Sequence, residues 1–216
     1  MSVQEKDYRQ SRREYTAPEL NLNDLDDDPV AQFSHWFNAA HEVDEVDVTA
    51  MTLATANAQG VPSARIVLLK HFDAQGFAWY TDYRSQKGQD LAHNPQAALL
   101  FYWPSLHRQV RIQGHVSQLE AALNEAYFHA RPRGSQVSAA VSVQSAPVAE
   151  RSQLEQHVVA HNEQYANQPI PRPDDWGGYC LQPNQFEFWQ GRENRLHDRF
   201  QYRQVDGLWV RGRLQP

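Results

Sequence analysis

Cysteine and net positive charge are both scarce in this chain. Of its 216 residues only Cys180 is a cysteine, so an intrachain disulfide is excluded and a reducing compartment is expected. The 20 Lys and Arg residues are outnumbered by 26 Asp and Glu residues, which gives a formal net charge of −6. A general electrostatic attraction to nucleic acid or anionic lipid requires the opposite balance. Any anionic ligand must therefore be bound by a local cluster of cations.

Long hydrophobic segments are also missing from the sequence. The longest apolar runs, such as AALLFYW at 97–103, fall far short of the roughly 20 residues that a membrane-spanning helix needs. The N-terminal segment lacks the apolar core of a secretion signal. We therefore expect a cytoplasmic protein in which residues 1–27 form a mobile polar arm and residues 28–216 form a single domain.

Short β-type segments dominate the rest of the chain. Segments rich in β-branched or aromatic residues alternate with turn-like sequences between residues 49 and 119 and again after residue 178. The last two segments are joined by Asp206-Gly207, a strong hairpin signal. Helical patterns occur at 28–42, where Asp28 can cap and Pro29 suits the first turn, near 85–94 and across 120–166. These patterns predict a mainly β, α+β fold: an antiparallel sheet of about six to eight strands that closes into a small barrel with flanking helices.

Two segments in the first half of the chain carry candidate anion-binding residues. In RIVLLK the alternation of a strand puts Arg65 and Lys70 on opposite faces. They are either the water-exposed ends of a buried strand or part of an anion and aromatic-ring site at a barrel mouth. Ser85 and Lys87 stand at a predicted strand-to-helix junction, where free N–H groups favour a phosphate, although Ser85 can be a simple helix cap.

A third segment, YFHARPRGSQ, spaces Tyr127, Arg131 and Ser135 by four residues. They share one helix face only if the helix continues past Arg131, and Pro132 favours a break there. An arginine with nearby hydroxyls suits a phosphate monoester, whereas a solvated surface arginine is an equal alternative by this test. His157 and His161 have the i, i+4 spacing of a metal pair without a third ligand, so an exposed helix face is favoured over a metal site.

Taken together, these segments resemble the FMN-dependent pyridoxamine/pyridoxine 5′-phosphate oxidase family. The resemblance covers nearly the whole chain, from RREYT at 12–16 through RIVLLKHFD, HRQV, YFHARPRGSQ, WGGY, FEFWQG and RLHDRF to the C-terminal RL-P ending. A single motif of this kind means little, but their common order makes chance similarity implausible. The resemblance implies an FMN-binding split β-barrel, a homodimer and FMN at the subunit interface.

The family resemblance also implies roles for individual residues. The implied FMN ligands are Arg65, Ile66, Lys70, Tyr80, Thr81, Lys87, Gln109, Gln144, Ser145, Trp189 and Arg199. The implied ligands of the substrate phosphate are Lys70, Tyr127, Arg131 and Ser135. Arg195 and His197 are expected to face the substrate ring as the catalytic pair, on one face if the segment is extended, with Arg12 and Tyr15 closing over it. Arg192 is expected to reach solvent.

One position departs from the family pattern. The family commonly has Ser-Arg-Lys where this chain has Ser85, Gln86 and Lys87, so a cation expected near the FMN phosphate is replaced by a neutral amide. Arg84 is a candidate to supply the missing charge. We hypothesise slightly weaker FMN retention than in relatives.

The activity implied by the resemblance is oxidation of pyridoxamine or pyridoxine 5′-phosphate to pyridoxal 5′-phosphate, with O2 as electron acceptor and H2O2 as product. Three alternatives stay open: a related split-barrel FMN reductase or an oxidase of another substrate, a pyridoxal-phosphate carrier without turnover, and a structural dimer module. The combination of RREYT, ARPRGSQ and RLHDR favours the oxidase of vitamin B6 phosphates over these.

Overall fold

The computed structural model describes residues 7–10, 14–43 and 46–216. Its α-helices are α1 (Pro29–Glu42), α2 (Gln86–His93), α3 (Ala121–Ala130), α4 (Arg133–Val141) and α5 (Arg151–Gln164). Its strands are β1 (Ala50–Ala56), β2 (Pro62–Leu68), β3 (His71–Asp73), β4 (Gly76–Asp82), β5 (Gln96–Trp103), β6 (Arg108–Gln118), β7 (Trp176–Gln190), β8 (Asp198–Val205) and β9 (Leu208–Leu214). Within the described ranges, none of the helices has the length and apolar character needed to cross a membrane.

The strands belong to one nine-stranded sheet. Its main path runs β2-β1-β5-β6-β7-β4-β3, and β8 pairs with both β7 and β9. The pairings β1–β2, β1–β5, β3–β4, β4–β7 and β8–β9 are antiparallel, as the sequence pattern predicts. The strand number exceeds the predicted six to eight, partly because the apolar RIVLLKHF run divides into the end of β2 and the start of β3.

Strand β7 is longer than the sequence pattern indicates. It is one strand of 15 residues that covers YCLQP and all but the last residue of FEFWQG and passes through Pro183. Gly114 of β6 makes this possible, because a Cβ at that position would lie 2.0 Å from the carbonyl oxygen of Gln182 and 2.9 Å from Cα of Pro183. A glycine therefore allows the close approach of the two backbones here.

Two compact units divide the chain, and each is described separately. Unit 1 comprises Met1–Val48, Tyr102–Val110 and Phe186–Pro216, and unit 2 comprises Thr49–Phe101 and Arg111–Gln185. The predicted division into an arm at 1–27 and one domain at 28–216 stays a prediction.

Unit 1 is built around α1 and the β8–β9 hairpin. The α1 cap is the predicted one, because the Asp28 carboxylate accepts a hydrogen bond from the Val30 N–H at 2.9 Å. The buried α1 side chains include Phe33 and Trp36, whose rings lie 6.1 Å from Trp103 and 5.3 Å from Phe188, respectively. Asp206 and Gly207 form the predicted hairpin turn with φ of 50° and 79°.

Unit 2 contains the part of the sheet that supports the candidate site. Its helices α3 and α4 pack with the start of β7 around a buried cluster of Phe128, Val137, Ile170 and Trp176. The break between α3 and α4 at Arg131 and Pro132 is the one that the proline predicts.

Helix α5 follows and carries the two histidines with metal-pair spacing. His157 is exposed as expected, whereas His161 is partly buried, with its ring 4.7 Å from the Tyr165 ring. In the part of the chain that the structure describes, no group of three metal-ligating side chains occurs.

Candidate functional site

A pocket of about 930 Å³ lies within unit 2. It is formed by β2, the end of β4, the first turn of α2, the region of the α3–α4 break and the loop after α4. Many of the residues singled out in the sequence line this pocket: Arg65, Ile66, Lys70, Tyr80, Thr81, Lys87, Tyr127, Arg131, Ser135, Gln144 and Ser145. The fold therefore brings together residues that are up to 80 positions apart in the chain.

The Arg65 guanidinium is held by strand β1 on one side of the pocket. Its NH1 donates hydrogen bonds to Thr55 Oγ1 at 2.7 Å and to the Leu53 carbonyl at 3.2 Å, and its NH2 donates to Ser63 Oγ at 2.6 Å. Behind these contacts lies the buried carboxylate of Asp90, which accepts a hydrogen bond from Thr55 at 2.6 Å and lies 3.9 Å from Arg65. Burial lowers the pKa of Arg65, while Asp90 opposes that shift. The cation is thus fixed in position by its neighbours.

The Lys87 ammonium lies in the first turn of α2. Its Nζ is 2.5 Å from Gln144 Oε1 and 3.1 Å from both Thr81 Oγ1 and Ser85 Oγ. Burial and then repulsion by Arg65 lower the pKa of Lys87 to about 8, against the attraction of Asp82. Ser85 is also the predicted helix cap, because its Oγ accepts from the Gly88 N–H. A buried ammonium beside a second cation at a helix N-terminus is stabilised by a bound anion.

The loop that carries Gln144 and Ser145 is anchored from the end of β4. The Asp82 carboxylate accepts hydrogen bonds from the Gln144 N–H at 3.2 Å and from the Arg84 guanidinium at 2.7 Å. Arg84 also donates to the Ser142 carbonyl at 3.1 Å. Burial acts to raise the pKa of Asp82, but the hydrogen bonds from Arg84 and Gln144 lower it overall. Ser145 has a φ of 70°, the left-handed region, so the loop turns sharply where it meets the pocket.

These contacts show whether Arg84 and Gln86 can supply charge at the predicted FMN phosphate. Arg84 does not take the place of the missing arginine, because its guanidinium is bound to Asp82 and Asp175 and lies outside the pocket lining. Gln86 does line the pocket, and its Nε2 donates to Asp90 Oδ1 at 2.8 Å on the same helix. The neutral amide is therefore part of the Asp90 network that also contains Arg65.

Aromatic rings and Arg131 form another wall of the pocket. The Tyr80 and Tyr127 rings stack with centroids 3.9 Å apart, and the Arg131 guanidinium lies 4.6 Å over the Trp176 ring. Within the described residues, Arg131 NH1 is inaccessible to solvent and has no hydrogen-bond partner. Buried polar groups are almost always paired in folded proteins, so the Arg131 guanidinium has hydrogen-bonding capacity that the described residues do not use.

The pocket fits a ligand that combines a phosphate with an aromatic ring system. Its volume of about 930 Å³ is within the usual range for cofactor and small-molecule sites. Arg65, Lys87 and Arg131 supply positive charge, and the flat Tyr80 and Tyr127 rings supply an apolar surface. The residues present therefore fit FMN or a vitamin B6 phosphate by charge, size and shape.

The other predicted site residues belong to unit 1. Tyr15 lies edge-on to the rings of His107, Trp189 and His197, at centroid distances of 5.1, 5.5 and 5.6 Å. Gly191 packs directly against the Tyr15 ring, since a Cβ there would lie 2.8 Å from that ring. Arg12 lies outside the described residues.

The His197 ring has a defined hydrogen-bonding state. Its Nδ1 accepts a hydrogen bond from the Arg192 backbone N–H at 3.0 Å, so the neutral imidazole carries its proton on Nε2. Burial and the neighbouring Arg195 lower the pKa of His197, while Asp198 opposes the shift. At neutral pH the ring is therefore a neutral hydrogen-bond donor through Nε2.

The segment 189–200 is not a continuous strand, and this corrects the extended conformation assumed for Arg195 and His197. Strand β7 ends at Gln190, a short 3₁₀ turn covers Glu193–Arg195, and β8 begins at Asp198. Asn194 and Arg195 have φ of 54° and 62°, which interrupts the alternation of a strand. The left-handed conformation of this pair reverses the chain between β7 and β8, which pair with each other in the sheet.

Three other residues of this segment, Asp198, Arg192 and Arg199, make contacts that the sequence did not indicate. Asp198 is buried and accepts a hydrogen bond from the Leu20 N–H at 3.0 Å. Arg192, expected at solvent, is partly buried with its NH1 3.8 Å from Asp198. The Arg199 guanidinium is bound to Glu187 at 2.8 Å and to the Gln215 carbonyl at 2.9 Å. Gln109 lies partly buried in β6.

Asp82, Asp90 and Trp176 were not among the predicted site residues. Asp90 is four residues after Gln86, a spacing that brings side chains together on a helix and is a usable signal in retrospect. Trp176 begins the WGGY motif, which indicated the family but no role. Asp82 gave no signal in the sequence, because its partner in the loop after α4, the Gln144 N–H, is 62 positions away.

The fold and the pocket together define an α+β protein with a pocket lined by cations and aromatic rings beside an antiparallel sheet. Residues 39–165 match the family model described as pyridoxamine 5′-phosphate oxidase. Residues 176–216 match the one described as the pyridoxine 5′-phosphate oxidase C-terminal dimerisation region. The chain belongs to the pyridoxamine 5′-phosphate oxidase family.

Similar proteins agree with this assignment. A pyridoxine/pyridoxamine 5′-phosphate oxidase of Acaryochloris marina is 50% identical over 95% of this chain and 94% of its own length. One from Janthinobacterium sp. is 50% identical over 95% of this chain and 97% of its own length. The crystal structure of PhzG from Burkholderia lata, in complex with tetrahydrophenazine-1-carboxylic acid, has a TM-score of 0.87 at 28% identity and covers 93% of this chain and 100% of its own. The predicted family and the split-barrel fold class are confirmed.

Proposed function

We propose that this protein oxidises pyridoxamine 5′-phosphate or pyridoxine 5′-phosphate to pyridoxal 5′-phosphate with FMN as cofactor and O2 as electron acceptor. The relatives at 50% identity over nearly the full chain carry this activity in their names. The observation in this chain that supports the proposal best is that Arg65, Lys87 and Arg131 line one pocket. Two phosphates, one from the cofactor and one from the substrate, require such separate cationic groups.

FMN is assigned to the part of the pocket around α2. Lys87 and Arg65 would bind its phosphate, and Thr81, Gln144 and Ser145 would supply hydrogen-bonding groups near it. Ile66, Lys70 and Tyr80 line the same pocket and would contact the remainder of the cofactor. Bound FMN would supply the redox chemistry: it would accept one hydride, which carries two electrons, from C4′ of the substrate, and those two electrons with two protons would reduce O2 to H2O2.

The substrate phosphate is assigned to Tyr127, Arg131 and Ser135, together with Lys70. Arg131 is suited to this because a guanidinium can donate two parallel hydrogen bonds to phosphate oxygens. Anchoring the phosphate fixes the distance of the reacting carbon from the cofactor, which is the main contribution a protein makes to such a reaction.

Arg195 and His197 are assigned to the substrate ring. The planar Arg195 guanidinium can cover a pyridine ring and keep it flat. His197, as a neutral ring with its proton on Nε2, can donate a hydrogen bond to the hydroxyl oxygen attached to the substrate ring. It is not required as a base, since hydride loss from an amine or alcohol needs only a modest proton acceptor. Tyr15 and Arg12 would cover the ring from the N-terminal arm.

Gln109, Trp189 and Arg199 complete the proposed FMN site from a second copy of the chain. This proposal is supported by the dimerisation region at 176–216, which includes Trp189 and Arg199 as well as Arg195 and His197. Residues of one copy would therefore contribute to the pocket of the other. A cytoplasmic location is retained as part of the proposal, in agreement with a single cysteine.

The direct test is to purify the protein, record its visible spectrum and add pyridoxamine 5′-phosphate in air. We expect a yellow protein that produces pyridoxal 5′-phosphate and H2O2 in equal amounts. Pyridoxamine without the phosphate is the matched control substrate, and it should react far more slowly because Arg131 then has no partner. A yellow protein without turnover would instead support a reductase or a carrier, and a colourless one a structural module.

A further inference from the structure

Trp176 lines the pocket although no role was predicted for it. It is the first residue of β7 and its side chain is buried, with 6% of the residue exposed. Its ring is nearly parallel to those of Tyr80 and Tyr127, at interplanar angles of 14° and 4° and centroid distances of 5.6 and 6.2 Å. The Arg131 guanidinium carbon lies 4.6 Å over its centroid. The Arg131 guanidinium therefore stacks on the face of the Trp176 ring.

This contact determines which part of Arg131 can meet a ligand. A guanidinium that stacks on an aromatic face keeps its N–H groups directed outward from its edge. In the described part of the chain NH1 of Arg131 is buried without a hydrogen-bond partner, while the residue lines the pocket, so a ligand is reached only by the N–H groups that face the pocket. Burial also lowers the pKa of Arg131, so a negative partner would relieve a desolvated charge.

The Trp176 ring is itself fixed by its surroundings. Its backbone N–H donates to the Pro173 carbonyl at 3.0 Å, and its carbonyl accepts from Arg172 NH1 at 2.6 Å. Its ring contacts Phe128 edge-on at 5.3 Å. Arg172 is in turn held by Glu125 at 3.0 Å. A ring held at its backbone and its edge can orient a flexible arginine side chain, which otherwise loses rotamer freedom on binding.

We propose that Trp176 is a positioning residue for the substrate phosphate: its ring holds the Arg131 guanidinium in the orientation in which the free N–H edge receives the phosphate oxygens. The proposal rests on the proposed function, because it takes Arg131 as the ligand of that phosphate. It adds a residue that acts through Arg131 and contributes to substrate affinity rather than to the oxidation step.

The test compares Trp176→Leu, Trp176→Phe, Arg131→Ala and the double variant Trp176→Leu/Arg131→Ala as FMN-loaded enzymes. Trp79→Phe is the matched control, since Trp79 is a fully buried tryptophan of β4 that does not line the pocket. Steady-state kinetics with pyridoxamine 5′-phosphate give kcat and KM, and flavin absorbance with thermal unfolding checks cofactor content and folding.

We expect Trp176→Leu to raise KM by about five- to twentyfold with little change in kcat, the range of a partly desolvated cation–π contact. Trp176→Phe should restore much of the affinity, because it keeps an aromatic face. The double variant should have the KM of Arg131→Ala alone, because without the guanidinium the ring has nothing to orient. Trp79→Phe should leave KM unchanged.

The possible failures are distinguishable. If Arg131→Ala leaves KM unchanged, the phosphate site of the proposed function is wrong. If Arg131→Ala raises KM but the effect of Trp176→Leu is absent, or is fully additive with it, the positioning role is wrong and the phosphate site stands. If Trp176→Leu does not fold, the decision passes to Trp176→Met, which fills more of the space and also lacks an aromatic face: a raised KM that disappears in the Arg131→Ala background supports the role, and an additive or unchanged KM overturns it.

Discussion

The ammonium nitrogen of Lys87 lies 2.5 Å from the amide oxygen of Gln144, and this contact joins α2 to the loop after α4. Both residues line the pocket, and the loop is held independently by the Asp82 carboxylate through the Gln144 N–H. The charged group and the loop are therefore held close together before any ligand binds. Pre-organisation of this kind reduces the entropy that binding must overcome.

The first prediction concerns the pH dependence of FMN binding. The pKa of Lys87 is lowered to about 8 by burial and by Arg65, and an FMN phosphate would raise it in the complex. The contribution of the ammonium is then fully present below about pH 8 and is lost as the pH rises above it. Titration of the apoprotein with FMN between about pH 7 and pH 9.5 should show this loss of affinity.

Two controls make the pH experiment specific. Lys87→Met should bind FMN more weakly throughout and without the change near pH 8, because it has no ammonium to titrate. Riboflavin, which lacks the phosphate, should bind wild-type protein with little dependence on pH in this range. An affinity of wild-type protein for FMN that stays constant across the range would contradict a phosphate contact by Lys87.

Asp90→Asn is predicted to weaken FMN binding about tenfold, the value of one good charge-assisted contact. Asp90 accepts from Thr55, which accepts from Arg65, so the carboxylate fixes the cation indirectly. Riboflavin binding should change less than about twofold, because only the phosphate meets Arg65.

Asp175→Asn is the charge-matched control for Asp90→Asn. It removes one carboxylate from an exposed residue that pairs with Arg84 at 3.5 Å and lies outside the pocket lining. If only the net charge mattered, both variants would bind the anionic cofactor more tightly. An Asp90→Asn protein with unchanged or tighter FMN binding would exclude an orienting role of Asp90.

Gln86→Arg is predicted to tighten FMN binding about three- to tenfold, because it adds a cation to the pocket wall next to Lys87. The gain is limited by Asp90, which accepts a hydrogen bond from residue 86 at 2.8 Å and would retain part of the new guanidinium. Gln86→Met, of similar length and without charge, should show no gain. Equal affinities of wild-type and Gln86→Arg protein would remove the hypothesis that the glutamine weakens retention.

Arg195→Leu is predicted to lower kcat/KM by about 100-fold or more with FMN still bound, since poor alignment of the substrate ring slows hydride transfer. Arg192→Leu removes a cation from the same turn, where its guanidinium lies 3.8 Å from Asp198, and should cost less than about fivefold. The measurement is steady-state oxidation of pyridoxamine 5′-phosphate by proteins of equal flavin content. A near-normal Arg195→Leu enzyme would rule out the ring-covering role.

Local features of the fold could be predicted because each depends on neighbours in the sequence. The Asp28 cap, the Ser85 cap, the helix break at Pro132 and the Asp206-Gly207 turn all involve contacts within four residues. The conformation of 189–200 was predicted wrongly because it does not depend on sequence neighbours alone. Its apolar and charged alternation resembles a strand, but the turn at Asn194 and Arg195 is imposed by the pairing of β8 with β7.

The sequence alone determined the family, the antiparallel α+β class and half of the residues that line the pocket, because motifs with fixed order carry that information. Only the tertiary structure decided how those residues are held: Asp90 behind Arg65, Asp82 under the Gln144 loop, and Trp176 beneath Arg131. Each of these contacts joins positions 25 or more residues apart. Such contacts arise from strand pairing and burial of a shared core, which no local pattern of side chains encodes.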